Sequence, residues 1–324
     1  MGRPRETRES REAIPPLTAG RVVANHGREV KVAGADGVRL ACRLHGRKLE
    51  AVCGDEVRYG HASSGDVTGT VYEILPRRRS LSRLTGLGRS EAIVANLTQL
   101  VAVAATVPSP DWNVIDRYLA GAEWAGIKAV VIFNKCELGI SDTAAAELAS
   151  YAALGYPVVH SSTRAAPGIE GLVRHLAGEV SVLVGQSGTG KSSLLNALAP
   201  EAHAITQEIS AATEEGRHTT THAALHVLSS GGDLIDSPGV RDYAPPLPQV
   251  RDISSGFIEI AAAALGCKFQ DCMHNTEPGC QVRREVEAGV IRRRRFDSYR
   301  HLVTMGREFD ARFPERRRPP ARVR

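Results

Sequence analysis

The chain has 324 residues, 42% of them hydrophobic and 24% charged, a length that suits two or three domains and the balance of a soluble globular protein. No apolar run approaches the roughly 18 residues a membrane-spanning helix needs, and no apolar core follows the charged start that a secretory signal requires. A cytoplasmic protein with no membrane partner is expected. The net charge of +5 is unevenly spread: Arg283 to Arg324 holds fourteen Arg against six acidic residues, leaving the rest slightly acidic. A basic end on a near-neutral body points to a polyanion such as nucleic acid, or to a solvated Arg-rich tail.

Taken in chain order, residues 1–18 read as a polar, disordered tail. Short β-type runs follow at Arg21–Ala24, Glu29–Val32, Val38–Leu44, Asp55–Tyr59 and Thr70–Leu75, separated by Gly- and Asn-containing turns. Five short strands in residues 19–78 fit a small closed barrel of the OB or SH3 kind. Pro76–Ser80 reads as a basic linker. From 79 to 244 apolar strands alternate with helical stretches, which argues for an α/β domain with a largely parallel sheet. Its strands are expected at Leu97–Val107, Lys128–Phe133, Val180–Val184, Leu225–Leu228 and Asp233–Ile235. Residues 245–324 turn Pro-rich, pass a cysteine cluster, and read as helical over Gln281–Phe309, with Arg292–Arg295 on or near one end.

The chemistry begins with Gly185-Gln186-Ser187-Gly188-Thr189-Gly190-Lys191-Ser192, followed by Ser193. It is a complete phosphate loop in its strand–loop–helix setting. Backbone N–H groups would cradle phosphate oxygens, Lys191 would neutralise the β- and γ-phosphates, and the Ser192 hydroxyl would ligate Mg²⁺. Asn134-Lys135-Cys136-Glu137 resembles the guanine-reading Asn-Lys-x-Asp motif, with Glu in place of Asp. Ser161-Ser162 resembles a second, weaker guanine-contact motif. Asp236-Ser-Pro-Gly239 matches Asp-x-x-Gly: Asp236 would reach Mg²⁺ through water and the Gly239 amide would sense the γ-phosphate. Between them, Gly216–Thr221 carries threonines where a first switch completes the Mg²⁺ sphere, a role expected of Thr220.

The order of these motifs is unusual, because the guanine motifs precede the phosphate loop. The set is complete only if the GTPase domain is circularly permuted, which folds tolerate when chain ends lie close together. The second switch then runs directly into Cys267-x4-Cys272-x-His274-x5-Cys280, a spacing suited to one structural Zn²⁺ with four protein ligands. The other cysteines, Cys42, Cys53 and Cys136, are scattered.

These ordered motifs, with Val286-Glu-x-Gly289-x-Ile291, Arg295-Phe-x-Ser-Tyr299 and Pro76-Arg-x-x-x-Leu81-x-Arg83, resemble the ribosome-small-subunit-dependent GTPase A family (RsgA, also called YjeQ) from about residue 20 to 310. The resemblance implies an N-terminal OB-type barrel, a circularly permuted P-loop GTPase domain and a helical zinc-binding domain. It also implies a monomer that binds GTP and GDP, docks on the small ribosomal subunit and its rRNA, is stimulated there, and acts late in small-subunit maturation. Val240 follows Asp-x-x-Gly where many GTPases carry a water-orienting Gln, and a valine can neither orient nor deprotonate water. His218 is the catalytic candidate that the family pattern implies. Two other readings stay open: an RNA-docking nucleotide switch with incidental hydrolysis, and a P-loop ATPase, the latter kept by Glu137.

Overall fold

A computed structural model describes residues 15–61, 69–85, 90–200, 223–241 and 243–313. Strands β1 (Thr18–Asn25), β2 (Glu29–Gly34), β3 (Arg39–Leu44), β4 (Glu56–His61) and β5 (Gly69–Ile74) form a closed barrel. It runs β1–β2–β3–β5–β4 and closes by the pairing of β4 with β1. Alternate residues point inward and bury Val22, Val30, Val32, Cys42, Val57 and Val71, the period-2 burial that half-buried strands require. β1 begins at Thr18, inside the segment expected to be a tail; residues 1–14 lie outside the described set.

The expected basic linker is a structural pin. Arg77 donates from Nε and Nη2 to the fully buried Asp55 carboxylate at 2.7 and 2.9 Å. A hairpin not expected from the sequence follows, β6 (Ser80–Leu84) against β7 (Ser90–Ala95).

The central sheet holds β8 (Gln99–Ala105), β9 (Lys128–Asn134), β10 (Val158–His160), β11 (Val180–Val184), β12 (Ala223–Val227) and β13 (Asp233–Asp236). Their order is β10–β9–β8–β11–β13–β12, parallel except for the antiparallel β12. Alternation along β8 sends Leu100, Ala102 and Ala104 into one core and Val101 and Val103 into the other, so both faces are covered, as parallel sheets need. The helices are α1 (Trp112–Ala125), α2 (Asp142–Ala153), α3 (Glu170–Leu176), α4 (Lys191–Leu198) and the short α5 (Pro238–Arg241). Asp111 and Ser141 cap α1 and α2 by accepting from Asn113 N and Ala144 N. At the far edge β12 pairs with barrel strand β1, Ala24 opposite Ala224 and Asn25 opposite Ala223. Beside this seam Arg21 Nη1 meets Asp233 Oδ2 at 2.6 Å.

The C-terminal part comprises a 3₁₀ segment (Val250–Gly256), α6 (Ile258–Ala264), α7 (Gln281–Glu287) and α8 (Arg293–Arg312). The single helix expected over Gln281–Phe309 is therefore two. Gly289, at φ +76°, ends α7 while Gly289 N donates to Val286 O and Val290 N to Glu285 O. This is the Schellman stop that a left-handed glycine permits.

The arginine run sits at the start of α8, as expected, and most of it turns inward. Arg295 is 1% exposed and bonds Asp116 and Glu259. Arg294 bonds Asp116 and Glu147, and Arg292 lies 3.6 Å from Glu147. Three of the four arginines are turned onto carboxylates of this same chain.

Candidate nucleotide pocket and metal centre

The phosphate loop leaves the buried end of β11 and enters α4, whose N-terminus faces the loop. Asn134, closing β9, donates from Nδ2 to Thr189 O at 2.9 Å and accepts from Ser161 Oγ at 3.2 Å. It thereby fastens the guanine strand to the phosphate loop. The approach is so close that a Cβ on Gly190, at φ +93°, would lie 2.4 Å from Asn134 Nδ2. Lys135, in the left-handed region at φ 57°, donates to Val107 O at 2.7 Å and Gly188 O at 2.6 Å. Lys191 Nζ donates to Gly185 O at 2.6 Å and Gln186 O at 2.8 Å, and the Thr189 hydroxyl donates to Gln186 O. The loop is held from both sides by ammonium groups.

A cavity of about 640 Å³ opens here, lined by Asn134, Lys135, Glu137, Ser187, Gly188, Gly190, Lys191, Ser192 and Ser193, within the size range of nucleotide-sized sites. Ser161 and Ser162 are buried behind it. Ser161 N donates to Phe133 O, Cys136 N to Ser161 O, and the Ser162 hydroxyl accepts from Arg164 N and Ala165 N. Cys136 contributes its backbone, its side chain packing on the core. Glu137 also lines this cavity. Its Oε2 is shielded from solvent and has no hydrogen-bond partner, and the Ser162 hydroxyl beside it holds the carboxyl below its ordinary pKa. Guanine presents two adjacent N–H donors, at N1 and the exocyclic amine, to a carboxylate, and adenine offers no such pair.

Ser192, Lys191 and Asp236 share a second, small cavity of about 20 Å³, so the side chains expected near Mg²⁺ converge from α4 and β13. Gly239 stands apart from both cavities, and Val240 is 2% exposed within the core. His218 and Thr220 lie outside the described residues.

The C-terminal cluster is compact. Cys267 Sγ and Cys280 Sγ lie 3.6 and 3.5 Å from His274 Nδ1 and 3.9 Å from each other. With Cys272, all four donor atoms fall within 4.8 Å of one another. A tetrahedral zinc with ordinary bond lengths sets sulfurs about 3.8 Å apart and sulfur and nitrogen about 3.6 Å apart, so the donor set fits. The loop is shaped in advance: Glu277 accepts from the amides of Met273, Asn275 and Thr276, and Arg283 N donates to Cys280 Sγ.

The RsgA GTPase family model matches residues 74–245. The small ribosomal subunit biogenesis GTPase RsgA of Azotobacter vinelandii is 40% identical over 297 residues, 90% of this chain and 86% of that one. This chain belongs to the RsgA GTPase family. The protein of the same description from Pseudomonas aeruginosa strain LESB58 is also 40% identical, over 92% of this chain and 88% of its own. Among solved structures, YjeQ from Thermotoga maritima superposes with a TM-score of 0.71 at 29% identity, covering 90% of this chain and 99% of that one. YloQ, described as a circularly permuted GTPase, superposes at 0.70 and 26%, covering 90% and 96%. The barrel, the permuted GTPase fold and the Cys₃His cluster expected for an RsgA GTPase are all present, and the chain is a GTP hydrolase. Val107, Leu138 and Arg164, which also line the larger cavity, were not expected from motif reading, because they belong to loops without a signature.

Proposed function

We propose that this GTPase binds the small ribosomal subunit and its rRNA, is stimulated by it, and acts late in small-subunit maturation. It works as a cytoplasmic monomer cycling between GTP and GDP. The observation that carries the reading is the 40% identity, across nine tenths of the chain, to proteins described as small ribosomal subunit biogenesis GTPases.

In this reading Glu137 and Asn134 read guanine, with Cys136 and Ser161–Ser162 shaping the loops around them. Lys135 spans the base loop and the phosphate loop. Residues Gly185–Ser193 wrap the phosphates, with Lys191 as the counter-charge. Ser192, Thr220 and Asp236 would hold Mg²⁺, which would offset the charge of the phosphates. Zinc on Cys267, Cys272, His274 and Cys280 has four protein ligands and supplies folding energy. Val240 is buried in the core, which leaves water alignment to another side chain, assigned here to His218.

The test is turnover of GTP by the purified chain alone, with small subunits, and with large subunits. Strong stimulation by small subunits alone is expected. Turnover unchanged by small subunits, or greater with large ones, overturns the partner. Competition of ATP against GTP for the free protein checks the base.

A further inference from the structure

Gly239 is backed by a side chain that lies outside every motif. A Cβ built on Gly239 would lie 2.7 Å from Ile93 Cγ2, so the half-buried Ile93 of β7 rests directly on the glycine whose amide is assigned to the γ-phosphate. Ser237, Pro238 and Gly239, together with Ile93, line a groove of about 1000 Å³ whose opposite wall is the barrel, including Arg28 and Leu49. The contact therefore sits at the junction of three parts of the chain.

The hairpin that carries Ile93 is fastened to the barrel. Ala95 N donates to Cys53 O at 3.0 Å, Asn96 Nδ2 donates to Gly54 O at 3.0 Å, and Cys53 bridges Val94. A Cβ on Gly54, which has φ +94°, would lie 2.1 Å from Ala95 O. Substitution there would force the two apart. The same barrel, through β1, pairs with Ala223 and Ala224 at the start of β12, one residue beyond the Thr219–Thr221 segment in sequence. Barrel and hairpin thus form one body touching the second switch at Gly239 and the strand leaving the first.

We infer that Ile93 is a positioning residue for the γ-phosphate response: it supports the Gly239 backbone so that its amide reaches a triphosphate, and it carries displacement of the barrel to the second switch. This rests on the nucleotide reading above. A ligand shifts an equilibrium only through differential affinity for the two states, so the device should change the ratio of triphosphate to diphosphate binding and leave diphosphate binding itself alone. Packed contacts of this kind typically alter coupling by a factor of a few to a few tens.

The experiment compares full-length wild type with Ile93→Ala and Ile93→Val, measuring affinity for GDP and for the βγ-imido analogue of GTP, together with kcat and KM. For Ile93→Ala the expected result is unchanged GDP affinity, analogue affinity reduced about tenfold and a lower kcat, with Ile93→Val recovering most of each. A wild-type ratio of analogue to GDP affinity in Ile93→Ala overturns the inference. So does an equal loss of both affinities, which marks a merely structural side chain. A wild type that neither hydrolyses GTP nor prefers guanine to adenine nucleotides overturns the nucleotide reading as well, and this outcome is read from the wild type alone.

Discussion

Arg295 donates from Nη1 to Asp116 Oδ1 at 2.8 Å across the border between α8 and α1, with both side chains at or below 1% exposure. Asp116 also accepts from Tyr151 Oη at 2.6 Å and from Arg294, while Arg295 is forked onto Glu259 at 2.7 and 2.9 Å. Burial disfavours the guanidinium charge, but Asp116 and Glu259 together hold it more firmly than usual. The C-terminal helices are thus tied to the first helix of the nucleotide domain by a buried, hydrogen-bonded network.

Removing one member should therefore be costly. Asp116→Asn or Arg295→Met should lower stability by up to about 3–5 kcal/mol, because each takes one charge out of a buried network and leaves the remaining charges, Arg294 and Arg295 in the first case and Asp116 and Glu259 in the second, less well compensated. Denaturant unfolding of the single variants and of the double variant measures this. Additive losses would mean that the pair is not coupled.

Zinc should be present at one per chain and be lost with any ligand. Cys272→Ser should drop metal content towards zero and expose the segment from Cys267 to Cys280 to protease, since binding and folding free energy are shared in such sites. Undiminished zinc in that variant contradicts the assignment.

Glu137→Ala should weaken GTP binding and should narrow the preference for GTP over ATP, because a charged acceptor for guanine's N–H donors is lost. Glu137→Asp should keep the preference with a smaller loss. Equilibrium titration with both nucleotides checks it, and an unchanged GTP affinity in Glu137→Ala removes the residue from base recognition.

His218→Ala should slow subunit-stimulated turnover by about 10²–10⁴-fold, the usual span for a lost general base or water-positioning group, with nucleotide affinity nearly intact. Lys191→Ala should instead damage binding. Single-turnover hydrolysis alongside nucleotide titration separates the two. Normal hydrolysis by His218→Ala on the ribosome shifts the base elsewhere.

His226, on β12, titrates below its ordinary value of 6.5, chiefly because burial disfavours its charged form. A depressed histidine binds fewer protons folded than unfolded. Its stabilising contribution is thus whole above pH 6.5 and lost as pH falls through that value towards the lower folded one. His226→Gln should flatten this part of the stability profile, measured by denaturant midpoints with zinc in excess. An identical profile in the variant assigns the slope to other groups.

Local signals made much of this legible. Gly185 to Ser192 and Cys267 to Cys280 are fixed by chemistry that tolerates few spacings, and the Val180–Val184 strand was read to the residue. The barrel strands showed because alternation is strong where one face is buried. The β6–β7 hairpin did not show: its strands interleave Ser, Arg and Glu with apolar residues without a long apolar run, and of these only Leu81, Val94 and Ala95 are deeply buried. The basic Arg283–Arg324 stretch points to a polyanion or a solvated tail when read alone, and the inward pairing of Arg292, Arg294 and Arg295 within it does not show because Asp116 and Glu147 lie far away in sequence. A charge pattern read locally cannot reveal an acid brought in by the fold.

The two-residue pairing of β1 with β12 has a consequence for how the molecule behaves in a crowded cell. β12 is the outer strand of the six-stranded sheet, and an uncovered outer strand presents unpaired N–H and C=O groups that recruit strands from other chains. Here the neighbouring strand comes from the barrel, and the barrel has no free margin of its own because it closes on itself. The chain thus meets itself where it would otherwise meet its copies. A fragment cut at the Pro76–Ser80 segment would lose that protection and should associate through β12, whereas in the intact chain β1 covers its first two residues, Ala223 and Ala224.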